Sequence, residues 1–186
     1  MSRSLLSWLA AAVLLFWAVG AYNRLVRLRS EANTAFAALD AELVRQVELV
    51  QSCLPGYETQ PASLSDGQGS FWGSLEGAAS QFAAALAAAR HRPLDPGGIA
   101  ALGAAQDVLA MAWERAERDD AHDLAGSRLP DTVTATRGQL DNQCRATAEQ
   151  FNLAVSRYNA AIRQFPALLL AWLFGFRSGR PLGSTP

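Results

Sequence analysis

Between Arg3 and Arg24 the chain carries twenty residues without a charge, Ser4 to Asn23, and that run limits the fold more than any other feature. A helix needs about 20 predominantly apolar residues to cross roughly 30 Å of hydrocarbon, so the segment has the length of a membrane span. Its leucines (Leu5, Leu6, Leu9, Leu14 and Leu15) with Val13, Phe16 and Val19 favour insertion by roughly 2 to 5 kcal/mol on a translocon scale. Trp8, Trp17 and Tyr22 are amphipathic rings suited to the two interfaces. Ala18 and Gly20 also form a small-x-small site before Ala21, the mark of a cleaved secretory signal. A single arginine precedes the run, however, and the helical pattern continues past that site, which argues for a retained anchor over residues 1–23. The N-terminal amine and Arg3 stand against Arg24, Arg27 and Arg29, a balance that leans the following domain to the cytoplasmic side. The same arginines suit anionic headgroups on either side.

Beyond the anchor, apolar residues recur every three or four positions, at Leu25, Leu28, Ala32, Phe36, Leu39, Leu43, Val47 and Val50. That spacing is one face of a helix continuous with the anchor, which Pro55 and Gly56 are expected to stop. The stretch to Ser70, with Pro61, Gly67 and Gly69, reads as a loop or a late-starting second helix. A second stripe follows at Phe71, Leu75, Ala78, Phe82, Leu86 and Ala89, small-sided enough for a neighbour to approach closely. Arg90, His91 and Arg92 suit its C-terminal dipole and Pro93 ends it. Asp95 is an N-cap with Pro96 in the first turn of a third helix, whose stripe is Ile99, Leu102, Ala105, Leu109, Trp113 and Ala116. A fourth is predicted from about Asp131 to Phe165, through Val133, Leu140, Cys144, Thr147, Phe151, Ala154 or Val155, Tyr158, Ile162 and Phe165. Phe151, Tyr158 and Phe165, seven apart, form its aromatic seam.

The expected fold class is therefore all-α, an antiparallel four-helix bundle over residues 24–176 on a transmembrane helix. In such a bundle the fourth helix returns to the bilayer, so residues 166–176, too few to span, lie at the interface or cover the base of the first helix. The polar, Gly- and Pro-containing residues 177–186 read as a disordered tail. Asn152 and Asn159 each follow a seam aromatic by one residue, and bridges from them to neighbouring helices, such as to Asn23 or Thr34, would fix the helix register.

Two stretches carry a resemblance. Tyr22 and Asn23 open the first helix with Leu25, Val26, Leu28, Arg29, Ala35, Phe36, Leu39 and Asp40 behind them. The last helix runs through Phe151 and Asn152, Tyr158 and Asn159, and Phe165 and Pro166 to the closure Leu173, Phe174, Gly175 and Phe176. Both are similar to the LemA family, and the similarity covers about a third of the chain at motif quality. It implies a four-helix bundle on an N-terminal membrane anchor, with no established biochemical activity. The middle, from Ser52 to about Gln139, departs from the family pattern: Pro55 and Gly56 interrupt the first helix, and SRLPD replaces a Tyr-Pro-x-Leu-Lys connection.

Chemistry is sparse. A net charge of -1 over 186 residues offers no basic field for nucleic acid. All sixteen basic residues are arginine. Cys53 and Cys144 lie far apart and in no ligand-like pair, which favours idle thiols over a disulfide. Glu117, Asp119, Asp120, His122 and Asp123 form an acidic cluster whose oxygens could take a divalent cation, without the spacing of an EF-hand loop. Gly67, Gly69 and Gly73 lack the spacing, strand and lysine of a phosphate loop. No motif requires a cofactor and no nucleophile has a histidine partner. The expected function is a protein-binding or scaffolding module at the envelope, held to the bilayer through residues 4–23 and in addition through 166–176 if these are interfacial. The alternatives are a metal-dependent enzyme using Glu117 to Asp123 and a structural, membrane-shaping protein.

Overall fold

A computed structural model of the chain describes residues 2–58, 65–122 and 131–183, which form five helices and, among the described residues, no strand. They are α1 (Ser2–Glu58), α2 (Ser65–His91), α3 (Pro96–His122), α4 (Asp131–Ile162) and α5 (Ala167–Phe174). α1 is the spine: α4, α2 and α5 pack on it, α3 packs on α2, and α5 also touches α4.

The first half of α1 is exposed all round and the second half buries one face. Leu5 is 70%, Trp8 76% and Phe16 84% exposed, whereas every position of the stripe from Leu25 to Val50 is buried. A helix apolar all round becomes amphipathic without a break, because residues up to Asn23 face no protein neighbour over most of their surface and those after it face α2 and α4. α1 passes Pro55 and ends at Glu58, contrary to the stop expected at Pro55 and Gly56. A proline within the last turn removes one backbone hydrogen bond and crowds one carbonyl, at a helix end where bonding is incomplete in any case.

α2 begins at Ser65, inside the stretch read as a loop or a late-starting helix, and buries Leu75, Ala78, Ala79, Phe82, Leu86 and Ala89, while the side chain of Phe71 lies outside the described residues. α3 starts as its sequence requires: the Gly98 N–H donates to Asp95 Oδ2 at 2.8 Å, an N-cap bond worth about 1 kcal/mol, and Pro96 fills the first position where no donor is missed. All six positions of its predicted stripe are buried. Side chains clamp the layers at their edges, Arg90 Nε with Asp40 Oδ1 at 2.8 Å between α2 and α1, and Gln46 Nε2 donating to Asp141 Oδ1 at 3.0 Å between α1 and α4.

The main core joins α1 to α4 around Phe36 and Phe151, whose ring centroids are 5.6 Å apart at 66°. Such an edge-to-face pair adds about 0.5–1.5 kcal/mol beyond the area it buries. A second, smaller cluster of Leu25, Leu28, Tyr158, Ala161, Ile162, Ala167 and Ala171 closes the base, where α1 and α4 meet α5.

Two expectations fail at the C-terminal end. α4 stops at Ile162, and Phe165, expected to continue the seam, is 67% exposed. The residue before a proline is driven out of the helical region, so the heptad cannot be carried across Phe165 and Pro166. The tail expected to be disordered is placed from residue 177 to 183: Gly179 is buried and Leu182, 5% exposed, belongs to the main core.

Candidate functional site

The aromatic–asparagine steps of α4 divide their labour. Phe151 and Tyr158 point into the two clusters, and the asparagines one position on face outward, half-buried, to the groove between α4 and α3. Neither bridges to Asn23 or Thr34. Asn152 Oδ1 accepts from the Leu182 N–H at 2.7 Å and its Nδ2 donates to the Leu182 carbonyl at 2.9 Å. Asn159 does the same with Gly179, Oδ1 accepting at 2.9 Å and Nδ2 donating at 2.8 Å. Each side-chain amide thus stands in for a neighbouring strand. Seven residues of helix rise about 10.5 Å, and three residues of extended chain cover about 10 Å, so the two spacings coincide and the strap runs antiparallel to α4. Gly179 fits because it has no Cβ: an added one would lie 3.2 Å from Leu94 Cδ2 and 3.3 Å from Val155 Cγ1. Leu182 reaches α3, with Cδ1 3.8 Å from where a Cβ on Gly103 would stand. Composition hid this strap, since its Gly, Pro and Ser content is also that of disorder, and only the unexplained outward asparagines could have pointed to it.

A polar clasp joins α3 and α4 further up. Arg137 pairs with Glu117, approaches Asp141 Oδ2 with its Nε at 3.7 Å, and lies over the Trp113 ring at 5.4 Å from the centroid. Trp113, Arg137 and Asp141 border a cavity of about 70 Å³, enough for water. Glu117 is the one member of the acidic cluster with a described side chain; those of Asp119, Asp120, His122 and Asp123 lie outside the described residues. Among the described residues no group of three or more His, Cys, Asp and Glu side chains is placed to hold a metal ion. Cys53 and Cys144 are free thiols. Burial, with the negative charge of Glu42 and Asp141, pushes the Cys144 thiol up to about 12, and burial also raises Cys53; both are held protonated at neutral pH, the unreactive form.

The base of the molecule is built differently. Ala167 and Ala171 turn the small face of α5 against α1 and α4, and Gly175, in the left-handed region at φ 69°, caps the helix. The opposite face carries Leu168, Leu169, Trp172, Leu173 and Phe174, of which Trp172 is 83% exposed. The block 166–176 is thus both a cover and an exposed apolar shelf. Aromatic contacts fix its height along α1: Trp17 to Phe165 at 5.4 Å, and Tyr22 to Phe174 at 5.1 Å and to Phe176 at 6.0 Å. Arg29 lies over Phe176, 5.9 Å from its centroid, and Asn23 is exposed beside this ring cluster. Between the 163–166 turn and α1 a cleft of about 640 Å³ opens, with Val13, Phe16, Trp17 and Gly20 along it and Arg24 and Gln164 at one end. Arg24 Nη1 donates to Gln164 Oε1 at 3.3 Å. Sequence reading found the aromatics but missed Gly20, Arg24 and Gln164 as a group, because a turn brings Gln164 to them from across the chain.

Among the described residues, fold and base together define an all-helical protein with one helix long and apolar enough to cross a membrane, by length and composition. Set against family models, curated proteins and solved structures, the chain matches none of them.

Proposed function

We propose that the chain is a single-pass membrane protein of LemA type, in which residues 24–176 form an antiparallel four-helix bundle that acts as a protein-binding or scaffolding module at the envelope. The observation that carries this reading is α1, exposed and apolar to Asn23 and then buried on one face without a break. The packing of α1 on α4 and α2, and of α2 on α3, supports the bundle, and the arginine balance around the span favours the cytoplasmic side for it. The partner is a protein, met by the bundle, and the bilayer, met by residues 4–23. No reaction is proposed. The exposed shelf of α5 favours a second reading, a structural protein that shapes the leaflet it touches.

Alkaline carbonate extraction of membranes tests the anchor. The full chain is expected to stay in the pellet, and a chain starting at residue 24 to lose that resistance. Release of the full chain by carbonate overturns the proposal.

A further inference from the structure

The cleft at the base has the dimensions and polarity of a place for one lipid. Val13 and Arg24 are eleven residues apart on α1, about 16 Å along the axis, which is close to the ~15 Å that one leaflet contributes to the hydrocarbon core. Its walls along that length are apolar, Val13, Phe16, Trp17, Gly20 and Ala21 on one side and Phe165, Pro166 and Ala167 on the other. Arg24 sits where a headgroup would, with Gln164 beside it. A guanidinium has five donors, and this one gives one to Gln164. Gly20 leaves the floor bare: a Cβ added there would meet nothing within 4 Å. The ring contact sets Phe165 at the level of Trp17, five residues of helix, or about 7.5 Å, below Tyr22. With the span ending at Asn23, Phe165 and the apolar walls of the cleft lie inside the leaflet, where no water can fill an apolar cleft, and Gln164 reaches up to Arg24 at its edge.

We propose that this cleft binds a single phospholipid, one acyl chain lying along Val13, Phe16 and Gly20 against Phe165 and Pro166, with the phosphate on Arg24. The site rests on the membrane reading of α1. Continuity with the span selects the occupant: Val13, Phe16 and Trp17, which line the cleft, are themselves exposed apolar residues of the span, and bilayer lipid is what meets that surface. The cation at its mouth matches the phosphate.

Native mass spectrometry of the full chain, purified in detergent and supplied with palmitoyl-oleoyl phosphatidylglycerol, reads the site directly. One lipid per chain is expected to survive activation that strips detergent and loosely held lipid. Gly20→Phe, which fills the cleft from a position with room for the side chain, should reduce that adduct at least about tenfold, the equivalent of ~1.4 kcal/mol. Gly20→Ala should keep it and Arg24→Gln should weaken it several-fold, with helicity by circular dichroism equal in all four proteins. No retained lipid on the unaltered chain, or equal retention in Gly20→Phe, overturns the site while leaving the anchor standing if the chain resists carbonate. A chain that carbonate releases overturns both.

Discussion

Asn152 and Asn159 each place both polar ends of one amide on the backbone of one strap residue, so truncating either leaves a half-buried N–H and C=O without those partners. Two lost hydrogen bonds, each about 1 kcal/mol net, set the expected cost of Asn152→Ala or Asn159→Ala at about 1–3 kcal/mol. Amide hydrogen exchange at Gly179 and Leu182 should accelerate in both variants, with α2 unaffected; unchanged protection at these two amides would show that the strap is held by packing alone. Asn159→Asp should loosen the strap at the Gly179 carbonyl alone, because a carboxylate still accepts from the Gly179 N–H but cannot donate to its carbonyl. Gly179→Ala would set a Cβ 3.2 Å from Leu94 Cδ2 and 3.3 Å from Val155 Cγ1, so these side chains must give by a few tenths of an ångström to admit it. These residues mark the edge of what was readable. The periodicity of α4 identified which positions face inward, and it put Phe151 and Tyr158 in the core, but an outward polar residue has no period, and its partner twenty to thirty residues away leaves no local trace.

Among the elements, α5 has the least protein around it relative to its apolarity. Its two alanines supply the packing and its larger side chains supply little, so Leu169→Gln with Trp172→Gln should leave the unfolding midpoint within about 0.5 kcal/mol of the original, as for surface positions generally. The same pair should lower insertion into a lipid monolayer at fixed surface pressure; a large fall in stability instead would mean that the shelf faces protein. Legibility at this scale followed the physics of each boundary. The start of α3 was readable because Asp95 and Pro96 act locally. The end of α4 was not, because the heptad was carried up to Phe165, the residue that Pro166 drives out of the helical region, and the end of α1 was set too early because a proline near a helix terminus costs less than one in the middle. Whether 166–176 lies flat or packs had no single answer in the sequence, since small and large residues alternate there at a spacing that serves both.

For the whole molecule, the absence of titratable pairs in the core, among the described residues, makes alkaline pH the informative axis. Cys144 is raised from 9.0 to about 12, and Cys53 and Tyr158 are raised from 9.0 and 10.0, each chiefly by burial. Above pH 9 the unfolded chain gives up these protons and the folded chain keeps them, so the unfolded state binds fewer protons and stability falls with pH. The contribution is fully present below pH 9 and is lost as pH rises towards 12. Urea midpoints should therefore be flat from pH 7 to 9 and decline beyond, and Cys144→Ala should reduce the slope; an identical slope in that variant would assign the decline elsewhere. The all-helical class was legible from alanine content and stripes, and the depth of the base was not, because it depends on rings brought together from the two ends of the chain.

Fifty-seven residues of unbroken α1 measure roughly 85 Å at 1.5 Å per residue, and the strap, the shelf and the core all fasten to that one rod or to its partner α4. If the lower part lies in a bilayer, the upper part has no joint with which to swivel. Tilting the buried end by a few degrees then swings the far end sideways by several ångströms, so changes in bilayer thickness that alter helix tilt become displacements of the domain. The molecule would work as a lever with its fulcrum at the ring cluster of Tyr22, Phe174 and Phe176.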